Sequence, residues 1–302
     1  PHESLDTYLR RFFKDDRVRL AFCFQSKYLG MSPYRCPSLF SVLSFIEYEY
    51  GVWHPLGGCA AVTEAMARVA ERLGVEICLN EPVEEILFER RRAVGVRTAR
   101  ETLRADAVVM NADFARAMQK LVPDRLRRRW SDRKLAKKKY SCSTFMLYLG
   151  VEGTFDQPHH TIHIADDYER NLDDIENKHV LSEDPSFYVQ NASVTDATLA
   201  PRGHSTIYVL APVKHQHPNV NWAEERGRYR NLMLQKIRQA GFHVQQNQIR
   251  YERILTPAEW DSRYEIYRGA TFNLAHTLDQ MLHLRPRNRF EEFDRLYLVG
   301  GG

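Results

Sequence analysis

Glycines that let a backbone approach a ligand closely are the first candidates for chemistry. "GVWHPLGG" places Gly57 and Gly58 just ahead of a run with helical apolar spacing. A Gly-Gly turn at a helix start leaves backbone N–H groups pointing at whatever sits there. At the other end, "DRLYLVGGG" carries a short apolar run, Leu296 to Val299, into Gly300, Gly301 and Gly302. A buried strand delivering glycines to its carboxyl end is where open α/β sheets bind ligands. Taken singly, a loop-to-helix turn or a plain strand-loop junction uses the same residues.

The histidines invite a metal reading, and geometry argues against it. His159, Thr161 and His163 would share one face of a strand. His159 and His163 would then lie about 13 Å apart at ~3.3 Å per residue, too far for one ion. His215 and His217 are closer but lie between Pro212 and Pro218, in a predicted loop. No metal is expected. The cysteines Cys23, Cys36, Cys59, Cys78 and Cys142 are scattered without CxxC spacing. They read as reduced thiols of a cytosolic protein. No GxSxG, Walker loop or HExxH occurs, so a hydrolase nucleophile and base cannot be placed. Catalytic residues stay unassigned.

These candidates need elements to hold them. "SLDTYLRRFFKDDRVRLAFCFQSKYL" and "PSLFSVLSFIEYEYG" have helical spacing and are apolar enough to need a core or a greasy ligand. A helix is expected from about Ala60 to Leu73, closed by Gly74. Short strands follow, and "RADAVVMNA" reads as a strand buried on both faces. Four further runs, "STFMLYLGV", "HTIHIA", "SFYVQNA" and "STIYVLAPV", are rich in β-branched and aromatic residues, as strands are. Residues 222–240 read as a helix. "IRYERILTPAEW" reads as a strand, a turn and a helix beginning at Thr256 with Pro257 at its first position. The order suggests a nucleotide-binding domain whose pieces are separated in sequence, and an insertion that builds a cavity.

The chain has 302 residues, 43% of them hydrophobic, enough for one large or two moderate domains. No run reaches the length of a membrane span, and the first residues read as no signal peptide. Arg125 to Tyr140 carries nine basic residues against Asp132 alone. Such a cluster is a solvated face or an anionic-membrane contact; nucleic acid is not expected, because no recognition motif accompanies it. A chain opening on Pro1 and closing on three glycines is expected to be part of something longer.

One stretch adds a resemblance. "YRGATFNLAHTLDQMLHLRPRNR", followed by "FDRLYLVGGG", resembles the bacterial-type phytoene desaturases, with Tyr267, Gly269, Phe272, Gln280, Arg285 and Pro286 at the family's motif positions. "EYGVWHPLGG" looks like the family's segment beside the flavin. "TDATLAPRGHSTIYVLAPV", Thr195 to Val213, is similar to its strand-forming block, and "VNWAEERG" follows. The set is collinear over essentially the whole chain. The family's glycine stretch is usually continued by Thr-His-Pro-Gly, and its GxGxxG loop stands near its start; this sequence contains neither.

The resemblance implies a mixed α/β fold. An FAD-binding Rossmann-like domain, incomplete here, would carry an inserted strand-rich and helical substrate domain. Residues 1–50 would be helical and face substrate or membrane. Residues 51–122 would belong to the FAD domain, 123–289 to the substrate domain, and 290–302 to the second FAD segment. It implies FAD contacts from Gly57, Gly58, Val83, Gly300, Gly301 and Gly302. The activity implied is desaturation of phytoene or a related carotene, in a cytoplasmic protein docked peripherally on a membrane. A tunnel for the hydrocarbon would draw its walls from "FFKDDRVRLAFCF", "PSLFSVLSFIEYEY" and "FMLYLGV". A flavin amine oxidase, a retinol saturase-like enzyme or a non-enzymatic prenyl-binding escort of the same fold stand as alternatives. Oligomeric state is not legible.

Overall fold

A computed structural model describes residues 3–300. The strands are β1 (Val83–Glu89), β2 (Arg92–Thr98), β3 (Thr102–Arg104), β4 (Val108–Met110), β5 (Ser143–Glu152), β6 (His160–His163), β7 (Phe187–Asn191), β8 (His204–Val213), β9 (Ile249–Leu255) and β10 (Leu296–Leu298). The helices are α1 (Leu5–Leu9), α2 (Asp16–Ala21), α3 (Val42–Tyr50), α4 (Gly58–Arg72), α5 (Phe114–Leu121), α6 (Asp132–Ala136), α7 (Tyr168–Asp173), α8 (Trp222–Gln239) and α9 (Pro257–Arg263).

The four predicted aromatic-rich runs become β5 to β8. With β9 they form one antiparallel sheet in the order β6-β7-β8-β5-β9. Alternation decides which side chains meet. Ile207, Val209, Ala211 and Val213 of β8 are buried, and with Phe145, Leu147 and Leu149 of β5 they pack in one core with Tyr229, Met233 and Ile237 of α8. The intervening residues face the other way. Register sets Ile162, Tyr188, Leu210 and Met146 side by side across four strands, and His160, Gln190, Tyr208 and Tyr148 in the next row.

The parallel pair β10-β4 builds a second core. Met110, Leu296 and Leu298 pack there with Ala115 and Met118 of α5, and with Trp130, Phe290 and Phe293. The expectation of a strand buried on both faces is corrected here: Met110 is buried, but Val109 is 60% exposed. The pair meets α5 on one side, so alternation turns Val109 outward.

The helix expected from Ala60 starts two residues earlier, at Gly58, and ends on Gly74 with φ +84°. Its Val62, Met66, Val69 and Leu73 lie at helical spacing and are all exposed. Thr256 and Glu259 form a reciprocal cap at the start of α9, with Pro257 at its first position as expected. The three-stranded sheet β1-β2-β3 stands apart from the larger one. Among the described residues no helix is long and apolar enough to cross a membrane.

Candidate functional site

Gly57 and Gly58 take φ +83° and +74° at the start of α4, backbone angles that glycine adopts without a Cβ clash. No side chain caps this helix. The turn amides differ from expectation. Gly57 N–H donates to Asp196 Oδ2 at 2.7 Å, and Gly58 N–H donates to Pro55 O at 2.9 Å. Both donors are used within the chain, because a turn this tight folds back on its own carbonyl and meets the loop between β7 and β8. Any ligand at this helix start must therefore use the later amides of the first turn, beginning at the exposed Cys59 and Ala60.

Asp196 is the anchor. It is 1% exposed and also accepts from Thr198 N–H at 3.1 Å and the Thr198 hydroxyl at 2.6 Å, while His54 Nε2 lies 3.3 Å away. The Thr198 hydroxyl, with the Gly57 amide, holds its carboxyl at about 2, below the ordinary 3.8. A depressed carboxyl stabilises the fold above its unfolded value and loses that contribution as pH falls through the folded one. The Asp196 contribution should thus be complete above about pH 4 and lost toward about pH 2. Asp196→Asn should lower the urea midpoint at neutral pH and flatten its fall in acid. Identical midpoint-against-pH curves for the two proteins would remove Asp196 as the anchor.

A line of rings runs from this anchor. His54 meets His159 at 4.8 Å between centroids, and His159 meets His160 at 4.3 Å. His159 Nδ1 is hydrogen-bonded to Thr195 Oγ1, and His160 Nδ1 to the Tyr188 hydroxyl at 2.5 Å. Burial first, then the neighbouring imidazoles, push both His159 and His160 below the usual histidine range. The sequence reading considered His159 only as a metal ligand paired with His163. In the structure His163 stacks instead on Phe187 at 4.7 Å. Among the described residues no group of three or more His, Cys, Asp or Glu is placed to hold a metal.

The outer face of the large sheet is one wall of a cavity of about 530 Å³. Tyr188, Tyr208, Leu210, Ile162 and His160 come from the sheet; Phe24, Lys27 and Tyr28 come from the segment before α3, with Glu47 from α3 itself. Tyr28 donates to Glu47 at 2.9 Å. Lys27 sits over the Tyr168 ring at 6.0 Å, its ammonium pushed down by burial. Of the three stretches expected to supply walls, the first contributes Phe24 and the second only Glu47. "FMLYLGV" contributes none: Phe145, Leu147, Leu149 and Val151 alternate into the core under α8, and Met146 and Tyr148 on the opposite face do not line the cavity.

The other predicted residues lie elsewhere. Gly300 follows β10 with φ +76°, and a Cβ there would come 2.0 Å from Asn111 Oδ1, so the chain passes the end of β4 tightly. Gly301 and Gly302 lie outside the described residues. Val83 opens β1, paired with Thr98 of β2. The structure thus joins Gly57 to Asp196 and Gly58 to Pro55, and sets Gly300 against Asn111, at separate places. Sequence reasoning missed Asp196, His54, His159, His160 and Tyr188 as a group. One local signal existed: Asp196 two residues before Thr198 is an Asx-turn pattern.

Relatives of known name match nearly the whole chain. The chain is 44% identical to a 4,4'-diapophytoene desaturase of Methylomonas sp over 99% of its own length and 59% of that protein's. It is 42% identical to an all-trans-zeta-carotene desaturase of Myxococcus xanthus, over 100% of this chain and 58% of the relative. The chain therefore spans about three fifths of the length of these relatives. Its fold superposes on an oxidoreductase from Methanosarcina mazei with a TM-score of 0.66 at 16% identity, covering 99% of this chain and 63% of that one. The family model for flavin containing amine oxidoreductase matches residues 1–301, and the chain belongs to that family.

Proposed function

We propose that this chain provides the substrate cavity and part of the cofactor site of an FAD-dependent carotenoid desaturase. The observation that carries the reading is the cavity: aromatic and aliphatic walls on the sheet face whose edge reaches the Gly57 turn through His159, His54 and Asp196. A polyene has no group to hydrogen-bond, so recognition must come from apolar walls and exclusion of water. Tyr188, Tyr208, Phe24 and Leu210 would hold the chain, and the Glu47 charge is turned toward Tyr28 and Gln25. The names of the relatives, carotene and diapophytoene desaturases, support the same substrate class.

FAD when bound would supply the two-electron acceptor that no side chain can. The uncapped start of α4 would face its phosphates, and the close passage at Gly300 would lie along it. Val83, at the exposed start of β1, is the proposed adenine contact. The apolar face of α4 and the open edges of the β10-β4 pair are where further chain of the relatives' length would pack.

The test uses a protein of the relatives' length containing this chain, expressed in bacteria that accumulate phytoene or diapophytoene. We expect a more conjugated, visible-absorbing carotene on chromatography. Soluble, flavin-loaded protein without such a pigment would reject the desaturase and leave an amine oxidase or escort role.

Docking on a membrane is part of the same proposal, and the structure narrows the charges it can use. Arg127 is buried against Asp124 and Asp132, and Lys139 pairs with Asp279. Arg125, Arg128, Arg133 and Lys137 are exposed. Replacing these four by serine should weaken sedimentation with anionic vesicles at low salt, by about 1 kcal/mol per charge at the surface. Equal sedimentation of both proteins would rule the patch out.

A further inference from the structure

We propose that His160 is the proton acceptor of the desaturation, held by Tyr188 in the tautomer that leaves its Nε2 free, with His159 as the positioning residue behind it. The proposal rests on the desaturase reading. It assigns a base where sequence alone assigned no catalytic residue.

The Thr195 hydroxyl donates to Ala192 O at 3.2 Å, so its oxygen is left to accept from His159 Nδ1–H. The Tyr188 ring meets Tyr208 edge-on at 5.5 Å, and its hydroxyl is bonded to His160 Nδ1 at 2.5 Å; we take His160 Nδ1–H as the donor in that bond. In this assignment each imidazole carries its proton on Nδ1 and a lone pair on Nε2. The His159 Nε2 is buried with no hydrogen-bond partner. The His160 ring is exposed and lines the cavity, so its Nε2 can meet a substrate carbon and later release a proton to water.

The charges around it suit a neutral base. Burial and His54 push His160 down, and Glu47 of α3 pulls the other way. His159 lies against it on its own chain, and Tyr188 of β7 on the neighbouring strand. At neutral pH the ring is therefore unprotonated and ready to accept.

Desaturation breaks two C–H bonds and makes one C=C bond. One hydrogen would leave with its electron pair for bound FAD, which would take up the two electrons. The allylic carbocation left behind has an acidic C–H beside it. That hydrogen passes as a proton to His160 Nε2, and its bonding pair becomes the new π bond. The rings of Phe24, Tyr28, Tyr188 and Tyr208 in the cavity wall favour the transient cation.

The test uses flavin-loaded protein of the relatives' length together with this chain. His160→Gln should lower the rate of carotene formation by ~10²-fold, the low end for general base catalysis, with flavin content unchanged. His160→Ala should be partly rescued by added imidazole, which a packing defect would not be. Tyr188→Phe should give a smaller loss, since it frees the tautomer without removing the base. In 15N NMR of the unmutated chain, the ring signal absent from His160→Gln should be an Nδ1–H tautomer titrating below the ordinary histidine range. A parental rate in His160→Gln, no imidazole rescue, or an Nε2–H tautomer would overturn the proposal while leaving the desaturase reading intact. A parent that forms no carotene would overturn both.

Discussion

Replacing Gly269 by alanine should destabilise the fold by roughly 2–5 kcal/mol, from ~1–2 for a left-handed backbone and ~1–3 for overpacking. Gly269 has φ +66°, and a Cβ there would stand 2.1 Å from Pro257 O and 2.8 Å from Pro257 C. Those are backbone atoms at the start of α9, where the Thr256–Glu259 cap fixes the chain. Neither can step aside as a flexible side chain would. The control is Gly203→Ala: φ is +77° but nothing lies within 4 Å of the new Cβ, so only the backbone strain is incurred. Urea unfolding of both variants separates the contributions. Equal midpoint shifts would mean that the Pro257 contact is soft.

Trp130→Ala should cost ~3–5 kcal/mol, the range for emptying a large buried aromatic site. Trp130 is 0% exposed although it sits inside the most basic stretch of the chain. Its ring meets Phe114 edge-on at 5.0 Å, its Nε1–H donates to Glu291 at 3.1 Å, and Arg129 and Lys138 lie over its face. The matching exposed residue is Trp53, at 87% exposure. Trp53→Ala in this chain should change stability by no more than about 0.5 kcal/mol. Thermal and urea unfolding followed by circular dichroism would check both. A mild Trp130→Ala would mean the second core tolerates a cavity of that size.

The contrast between the two tryptophans shows where local reading ends. Both stand in irregular, polar or glycine-rich surroundings. The difference between them is set by residues far away in sequence, Phe114, Phe290 and Glu291 around Trp130. The same holds for the basic stretch. Nine like charges read as a solvated patch, yet Arg127 is buried because Asp124 and Asp132 neutralise it and its guanidinium donates to Trp130 O at 3.0 Å.

By itself the sequence determined the local elements and the family. Alternation in "STIYVLAPV" specified β8, because a period of two needs one buried face. Gly74 and the Thr256-Pro257 pair specified helix ends, because caps are satisfied by neighbours in the chain. Collinear motifs pointed to the desaturase-like flavoproteins through residues such as Tyr267, Gly269 and Gln280. Only the tertiary structure decided which apolar strand is wall and which is core. Phe145 and Tyr208 have similar local patterns, and the pairing register with alternation turns one under α8 and the other toward the cavity. It also decided that the Gly57 amide is spent on Asp196, 139 residues away. It brought His54 to His159 and His160 beside Tyr188. Hydrogen bonds and ring contacts between distant segments act over a few ångströms, so no spacing within one segment encodes them.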